Sequence, residues 1–460
     1  MGHNLSENAV RLGAVDVIVI GAGIAGLVAA DELGRAGNKV TIVEARDRVG
    51  GRTLSQALGG QVIDLGGQWM GDKHHLLREL ANGLGVESFP QYARGTKVLV
   101  RGDSRTTFKG FLPKIGLLPL IDLGLTIARL ERLAGKVDLE APLETKHGRE
   151  LDAQSVAAWL DRRVRSHRAR AMLELATQMI FAAEPKDLSL LYFLLYAKSG
   201  EGFQRLAEIE GGAQERRFTT GAQSICERLA ARVVEAGATL HLSQPVRAIA
   251  QDGDGVTVQV PRGPLRAHAI VVAAPPHLAA KIEGMPSERA ELGAKLPMGS
   301  VIKIIAAYDR PFWREAGYSG EALSTTGAIR ATFDDCNATG DHAALVAFIV
   351  GDPAKRLRDL PEPARKELVL GELARLHGPR AQTPIAYADK DWQLDEHAGG
   401  GYVGLAAPGV LSAARCNLRT AFGRVYFAGT ETATHHVGYL EGAIESGQRA
   451  ARELRERSQR

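Results

Sequence analysis

Residues 16–26 read DVIVIGAGIAG, and this stretch decides the fold of the chain. The apolar run at 17–20 predicts a short strand buried on both faces of a parallel sheet. The glycines that follow match G-x-G-x-x-G, in which the first permits a tight turn, the second lets backbone approach a pyrophosphate, and the third lets a helix pack on the strand. The amides that open this helix favour a bound phosphate. The predicted dinucleotide contacts in this turn are Gly21, Gly23, Ile24, Ala25 and Gly26.

The dinucleotide-binding unit continues into a second strand. Gly37 ends the predicted helix, and residues 39–43 read KVTIV. Glu44 then stands about twenty residues after the glycine turn, where a carboxylate accepts from ribose hydroxyls and disfavours NADP. Residues 45–52 read ARDRVGGR, a basic loop whose paired glycines let backbone return to the same pyrophosphate. NAD sites do not need this loop, which resembles the second glycine motif of flavoprotein oxidoreductases. FAD is therefore predicted, with further contacts from Ala45, Arg46, Gly51 and Arg52.

Composition indicates a large enzyme and excludes several other classes. At 460 residues, with 45% hydrophobic content, the chain is too long for one ordinary core, so two domains are predicted. The net charge is only +4, and the arginines at 162–170 lie beside Trp159 and Leu160, which favours a solvated helix face over a nucleic-acid site. Three cysteines without metal or redox spacing indicate buried thiols and no metal. No signal peptide pattern precedes the first strand, so a cytoplasmic location is predicted.

Strand and turn signals recur at both ends of the chain. Residues 62–69 read VIDLGGQW, a strand ending in a glycine turn where backbone can lie against a flat ring, and residues 424–430 repeat the theme. Residues 109–198 have mainly helical periodicity. These patterns predict an α/β fold, with a Rossmann-like FAD-binding domain of the glutathione-reductase type assembled from discontinuous segments, and an α+β substrate domain carrying a helical insertion. The predicted boundaries are 1–90, 215–295 and 390–460 for the first domain, and 91–214 and 296–389 for the second.

Six motifs together resemble the flavin amine oxidase family, especially the monoamine oxidases. The longest is YFAGTETATH at residues 426–435, and the resemblance covers nearly the whole chain. It implies oxidation of an amine to an imine, with FAD accepting two electrons and dioxygen reoxidising it to give hydrogen peroxide. Hydrolysis of the imine gives an aldehyde or ketone. The motifs lie at residues 16–26, 44–52, 64–69, 301–314, 392–402 and 424–442.

Lys303 stands within the apolar strand VIKII, residues 301–305. Its side chain shares a face with Val301 and Ile305, where an ammonium costs free energy unless it is paired or wet. From the residues alone, an edge-strand lysine whose stem reaches solvent is an alternative. The family resemblance implies instead a lysine that holds a water against flavin N5 and supports flavin reoxidation or proton movement.

Two tyrosines have glycine beside them. Tyr402 follows three glycines, and Tyr439 follows Gly438. Small neighbours let a ring stand close to another flat system, although either tyrosine alone could be a core residue. The resemblance implies an aromatic cage in front of the flavin, which holds the amine between electron-rich faces and favours its neutral form. No Ser/His/Asp or Cys/His constellation is needed, because the electron transfer is the chemistry of the flavin.

The resemblance also implies further contacts. A helix beginning near Gly438 would direct its N-terminus at the flavin, Trp392 would pack beside the ring, and Val246 would bond adenine through its backbone. Pocket positions could also be ordinary core. The residues that resemble substrate-site positions are Gln214, Met179, Ile180 and Leu206. The remaining predicted FAD contacts are Gly66, Gly67, Gln68, Trp69, Gly429, Thr430, Glu431, Tyr439 and Leu440.

Two departures from the animal enzymes carry predictions. Gly401 stands where those enzymes have the cysteine joined to the flavin, so the FAD is predicted to be non-covalent. Residues 452–457 read RELRER rather than an apolar tail of spanning length, so no membrane anchor is expected. A homodimer is compatible with the sequence.

The substrate and the electron acceptor stay open at this point. The leading interpretation is an oxidase of a primary or secondary amine with an apolar body, and cyclic amines also fit an aromatic cage. An L-amino-acid oxidase would need an arginine for the substrate carboxylate. A polyamine oxidase would need channel carboxylates, for which Glu184 and Glu208 are candidates. The other classes are an amine dehydrogenase using another acceptor and a non-catalytic FAD-binding module.

Overall fold

The computed structural model describes residues 15–110 and 113–458, so the first fourteen residues of the predicted FAD-binding domain lie outside the described residues. Strands and helices are interleaved along the chain. In chain order the strands are β1 (Val15–Ile20), β2 (Val40–Val43), β3 (Ser55–Leu58), β4 (Gln61–Asp64), β5 (Ser88–Pro90), β6 (Thr96–Arg101), β7 (Ser104–Phe108), β8 (Arg216–Phe218), β9 (Thr239–His241), β10 (Ala248–Gln251), β11 (Val256–Val260), β12 (Gly263–Val272), β13 (Val301–Tyr308), β14 (Tyr318–Ser324), β15 (Ile329–Asp334), β16 (Ala343–Val350), β17 (Ala386–Asp391) and β18 (Val425–Phe427).

The helices connect or cover the strands. In chain order the α-helices are α1 (Ile24–Arg35), α2 (His75–Gly83), α3 (Leu117–Ala134), α4 (Gly148–Ala153), α5 (Val156–Arg163), α6 (His167–Phe181), α7 (Leu190–Ser199), α8 (Phe203–Ala207), α9 (Gln223–Glu235), α10 (Pro276–Ala279), α11 (Ser287–Ala294), α12 (Phe312–Glu315), α13 (Asp352–Leu357), α14 (Glu362–His377), α15 (Val410–Ala413) and α16 (Leu440–Ser458). Short 3-10 helices lie at Pro142–Glu144, Pro185–Asp187, Pro379–Gln382, Trp392–Leu394 and Thr430–Thr432.

The first large sheet contains the dinucleotide-binding strands. Its five central strands run parallel in the order β9-β2-β1-β12-β18, and the β10-β11 hairpin pairs antiparallel with the first half of β12. Residues 17–20 of β1 are all buried, as their apolar character predicts. Because the strands are parallel, their carboxyl ends open at one edge, where open α/β sheets bind their ligands.

Helix α1 packs closely on this sheet and against α16. A Cβ added to Gly26 would lie 2.0 Å from the carbonyl oxygen of Gly21, and one added to Gly447 would lie 2.4 Å from that of Ala25. These contacts exclude any side chain at either glycine. The third glycine of the motif therefore serves helix packing, as predicted.

The second large sheet has the order β17-β13-β16-β15-β14-β6-β7 and is antiparallel except between β6 and β14. Strand β13 is central, because it pairs with β16 on one side and β17 on the other. Apolar clusters cover both faces: one contains Trp313 and Leu373, and the other contains Val301, Ile305 and Phe348. The apolar residues on the two faces of this sheet therefore form a second core region.

Helices α3 to α8 follow one another in the chain between β7 and β8, and they form a separate layer with its own apolar cluster. The helical periodicity of residues 109–198 predicted this layer. The first large sheet takes its strands from 15–43, 239–272 and 425–427, and the second from 96–108 and 301–391, which confirms the α/β fold class built from discontinuous segments. The exact domain boundaries stay a prediction.

Small differences from the predicted elements occur at glycine turns. Strand β4 ends at Asp64, before the glycines at which the strand was predicted to end, and α16 begins at Leu440 rather than Gly438. Among the described residues, no helix is both long enough and apolar enough to cross a membrane.

Candidate active site

One cavity of about 920 Å³ brings the predicted site residues together. Its walls come from the β1–α1 turn, from β13 and from the apolar faces of α3 and α6. Two predicted residues, Gly26 and Glu431, are not among its lining. The predicted residues that line it are Gly21, Gly23, Ile24, Ala25, Glu44, Ala45, Arg46, Gly51, Arg52, Gly66, Gly67, Gln68, Trp69, Met179, Ile180, Leu206, Gln214, Val246, Lys303, Trp392, Tyr402, Gly429, Thr430, Tyr439 and Leu440.

Two glycine turns meet at one end of the cavity. A Cβ added to Gly51 would lie 3.3 Å from the Cα of Gly23, so any side chain there would press against the facing loop. Gly51 also has a φ of 58°, a conformation that favours glycine. Helix α1 begins beside them, and its N-cap residue Gly23 makes no side-chain cap, which leaves the first amides of the helix available to an anion. This donor set fits the pyrophosphate of a dinucleotide.

Glu44 lines the cavity at the end of β2. Its carboxylate accepts hydrogen bonds from the amides of Ala22, at 2.7 Å, and Arg46, at 2.9 Å. A carboxylate has about four lone-pair sites, so capacity remains for ribose hydroxyls. The Arg46 guanidinium forms an ion pair with Asp395. This ion pair fixes the position of Arg46 at the cavity wall.

Arg52 and Glu431 join two distant segments of the chain. The guanidinium of Arg52 donates to both carboxylate oxygens, at 2.6 and 3.0 Å, and also to the carbonyl oxygen of Tyr402 at 2.8 Å. Glu431 also accepts from the amide of Gly404. Glu431 therefore holds Arg52 and the backbone that carries Tyr402, and its contact with FAD stays a prediction.

Lys303 is only 3% exposed and lies on the central strand β13. Its Nζ donates to the carbonyl oxygen of Gly66 at 2.9 Å and to Oε1 of Gln68. Burial lowers its pKa to about 8, although Asp335 and Asp64 favour the charged form. The edge-strand alternative is wrong, because β13 is paired on both sides and the lysine faces the cavity.

The two predicted tyrosines reach the same cavity from separate segments. The hydroxyl of Thr430 accepts from the amide of Gly438 at 2.7 Å and donates to the carbonyl oxygen of Tyr439 at 3.0 Å, which fixes the turn that carries this ring. Burial raises the pKa of both phenols, so both are neutral at physiological pH. Within the described ranges, Tyr439 makes its ring contacts with His74, Tyr196 and His436, and none with Tyr402.

The helical side of the cavity is largely apolar. Glu208, Glu210 and Gln214 add polar residues beyond α8, and the Gln214 amide donates to the carbonyl oxygen of Leu206 at 3.2 Å. No charged residue from α3 or α6 is among the lining residues that the structure describes. The apolar lining residues of this side are Leu123, Ile127, Met172, Leu173, Leu175, Ala176, Met179, Ile180, Phe203, Leu206 and Ile209.

The sequence matches the family model described as flavin containing amine oxidoreductase over residues 24–455. The chain belongs to this flavin amine oxidase family. It is 38% identical over 447 residues to a probable flavin-containing monoamine oxidase A from Dictyostelium discoideum, covering 96% of this chain and 98% of that protein.

Solved structures of family members have the same architecture. Cyclohexylamine oxidase from Brevibacterium oxydans IH-35A aligns with a TM-score of 0.91 and 34% identity, covering 97% of this chain and 100% of that chain. Putrescine oxidase bound to putrescine aligns with a TM-score of 0.91 and 29% identity, covering 96% of this chain and 99% of that one.

As a flavin amine oxidase, the protein uses FAD and catalyses the oxidative deamination of amines. The glycine turns, the α1 N-terminus and Glu44 supply the groups that a bound dinucleotide requires. Gly401 lines the cavity, whereas the three cysteines of the chain do not, so the FAD is non-covalent. The three cysteines are Cys226 and Cys336, which are buried, and Cys416, which is half-buried.

Sequence patterns did not single out several side chains of this oxidase cavity. Tyr196 belongs to the apolar helix α7, whose sequence does not distinguish a cavity wall from a core. Lys97 and Glu321 form an ion pair of 2.8 Å, but only the pairing of β6 with β14 brings them together. One signal was available: Asp334 and Asp335 form an acidic pair at the end of a buried strand, which indicates a buried polar network.

Proposed function

We propose that the protein oxidises a primary or secondary amine with an apolar body, passes the electrons to dioxygen and releases hydrogen peroxide. One observation supports this most strongly. Lys303, Tyr402 and Tyr439 line the same cavity as the apolar faces of α3 and α6. The reacting amine and its apolar substituent would therefore occupy one continuous space.

The two tyrosines would form an aromatic cage. Their rings reach the cavity without touching each other in the part of the chain that the structure describes, which leaves room for an amine between them. Neutral phenols present electron-rich faces, and burial disfavours the ammonium form of the substrate, so the cage would orient a neutral amine. Bound FAD supplies the two-electron acceptor.

Lys303 would act when the reduced flavin is reoxidised. Two of its donor positions are occupied by Gly66 and Gln68, and one remains for the cavity. With a pKa of about 8, the amine and ammonium forms are both accessible near neutral pH. We propose that it holds a water at the flavin and supports proton movement during reoxidation.

The charges around the cavity favour this substrate class over an amino acid. Arg46 and Arg52 are its only lining arginines among the described residues, and protein carboxylates hold both. Neither arginine is free for a bidentate contact with a substrate carboxylate. Cyclic amines fit the same apolar walls.

A diamine or polyamine is the second candidate, because Glu208 and Glu210 line the cavity. Glu184, the other carboxylate considered from sequence, is not among the lining residues and instead accepts from Gln178 and from the amide of Asp352. Glu321 is neutralised by Lys97. The carboxylates that could hold a distal ammonium are therefore few.

An amine panel tests the proposal. Purified holoenzyme is mixed anaerobically with apolar primary, secondary and cyclic amines, diamines and L-amino acids, and flavin bleaching is followed by stopped flow. Apolar monoamines should bleach fastest, and air should restore the colour with one peroxide per amine. Bleaching without peroxide would favour an amine dehydrogenase, and no bleaching by any compound would favour an FAD-binding module.

The cytoplasmic location and the homodimer stay predictions.

A further inference from the structure

A buried polar network lies behind Lys303. Gln68 accepts from Lys303 through Oε1 and donates from Nε2 to Asp335 at 3.1 Å. Asp335 in turn accepts from Arg217, which also donates to the carbonyl oxygen of Cys336. These four residues are between 2% and 8% exposed. The network therefore connects the cavity wall to a buried ion pair.

The order of donors and acceptors fixes the orientation of the Gln68 amide. An ionised carboxylate only accepts hydrogen bonds, so the Gln68 NH₂ group has to face Asp335. A lysine ammonium only donates, so the Gln68 oxygen has to face Lys303. A flipped amide would place two donors together at one end and two acceptors at the other. Each end of the network thus supports the same orientation.

Arg217 keeps Asp335 in the role of a hydrogen-bond acceptor. It forms an ion pair with Asp335, and this pairing favours the ionised carboxylate against the burial that raises its pKa. The guanidinium also lies 4.9 Å from the ring centroid of Phe89, which packs it in place. Arg217 therefore holds Asp335 in place, and the ionised Asp335 can only accept a hydrogen bond from Gln68.

We propose that Asp335, held by Arg217, is a positioning residue that orients Gln68 and through it sets the place and the protonation of Lys303 at the cavity wall. This inference rests on the proposed role of Lys303 near the flavin. It extends that role, because it assigns the control of the lysine to three side chains behind it.

Three charged side chains act on the pKa of Lys303. Asp335 and Asp64 favour the ammonium, and Arg217 disfavours it. Removing the charge of Asp335 should therefore lower the pKa of Lys303 from about 8, by about one pH unit or more. Removing the Gln68 acceptor should shift it in the same direction by less, because no charge is lost.

The test is a pH titration of flavin absorbance in the resting holoenzyme, without substrate. Wild type should show an alkaline transition near the pKa of Lys303, and Lys303→Met should abolish it. Asp335→Asn and Gln68→Met should move the transition to lower pH. Asp334→Asn is the matched control, because Asp334 is the neighbouring buried carboxylate and pairs with Arg314 instead. Its transition should stay at the wild-type pH. FAD content and circular dichroism confirm that each variant is folded.

Two results would overturn the inference. One is a wild-type transition in either Asp335→Asn or Gln68→Met, because that link of the network would then not act on the lysine, and the other is a transition that survives in Lys303→Met. If Asp335→Asn did not fold, Gln68→Met would decide alone. Because the titration needs no amine, a failure of the amine panel would contradict the proposed function while leaving this result readable.

Discussion

The buried imidazole of His74 lies edge-on to the ring of Tyr439, with centroids 5.3 Å apart. Nδ1 of His74 accepts a hydrogen bond from the amide of Gly71 at 2.9 Å, so that nitrogen carries no proton. Burial, together with the neighbouring His436, lowers the pKa of His74 to about 3. A neutral imidazole thus supports one of the two cavity tyrosines.

This histidine should make the protein acid-sensitive. An unfolded histidine titrates near pH 6.5, so below that pH the unfolded state binds a proton that the native state does not. The free energy of unfolding should therefore fall as the pH drops below about 6.5, by up to about 1.4 kcal/mol per pH unit. His74→Asn keeps an acceptor for Gly71 and should lose the part of this dependence that His74 contributes, while buried His377 keeps its own. Urea unfolding at about pH 5 and about pH 7.5 measures it. Exposed His435→Asn is the control, and equal pH slopes in wild type and His74→Asn would contradict the prediction.

The proposed cage should act through its rings. Changing Tyr402 and Tyr439 together to Ala should slow amine-dependent flavin bleaching by on the order of a hundredfold, because the amine loses its orientation. FAD should remain bound, since the glycine turns are untouched. The matched Phe variants keep the rings and should stay within about tenfold of wild type. A double Ala variant that bleached at the wild-type rate would show that the rings do not orient the amine.

Glu431→Gln should destabilise the holoenzyme. The change leaves the Arg52 guanidinium without its counter-charge, which costs about 3 kcal/mol for a buried pair and somewhat less here, since the Arg52 side chain is 26% exposed. Thermal unfolding and the FAD released on warming measure the loss. Asp161→Asn removes an exposed ion pair with Arg170 and should change stability by less than about 1 kcal/mol. Equal losses in the two variants would argue against a special place for the Arg52–Glu431 pair.

Lys303→Met should separate the two half-reactions. Anaerobic flavin reduction by an amine should change little, whereas reoxidation by dioxygen should slow by on the order of a hundredfold, because a proton-handling group is lost. Lys97→Met removes a different cavity lysine, one already paired with Glu321, and should leave reoxidation unchanged. If both half-reactions of Lys303→Met matched wild type, the proposed role of this lysine would be withdrawn.

FAD should leave the protein without bond cleavage. Acid or heat precipitation should release the yellow chromophore into the supernatant, because no cysteine lines the cavity between residues 15 and 458. Absorbance of supernatant and pellet measures the partition. A yellow pellet after washing would mean a covalent bond.

The sequence predicted the parts of the site whose chemistry is local. The turn from Gly21 to Gly26 is set by neighbouring residues, and Glu44 directly follows its strand, so both could be placed without a structure. The strand at 301–305 showed one lysine among apolar residues, and that contrast marked Lys303. The fold class followed from the order of such segments.

The partners of charged residues could not be predicted, because they are distant in sequence. Arg46 was expected at the pyrophosphate and it lines the cavity, but the sequence could not show that its guanidinium pairs with Asp395, 349 residues away. Glu431 was expected to contact the cofactor, and its pairing with Arg52, 379 residues away, could not be predicted. Gln68 was predicted to lie near the flavin, but its link to Asp335 exists only because the β4 turn and the end of β15 meet in three dimensions.

The strands of the cofactor-binding sheet lie far apart in the chain, so the ribosome makes them at different times. β1 and β18 both pair with β12, yet residues 21–424 separate them, and α16, which packs on α1, is made later still. While the ribosome is still translating the segment before Val425, the nascent polypeptide lacks one wall of the cradle. The helical layer and the second sheet use no strand from Val425 onward and can form without one, whereas the complete cofactor cradle needs both β18 and the residues that follow it.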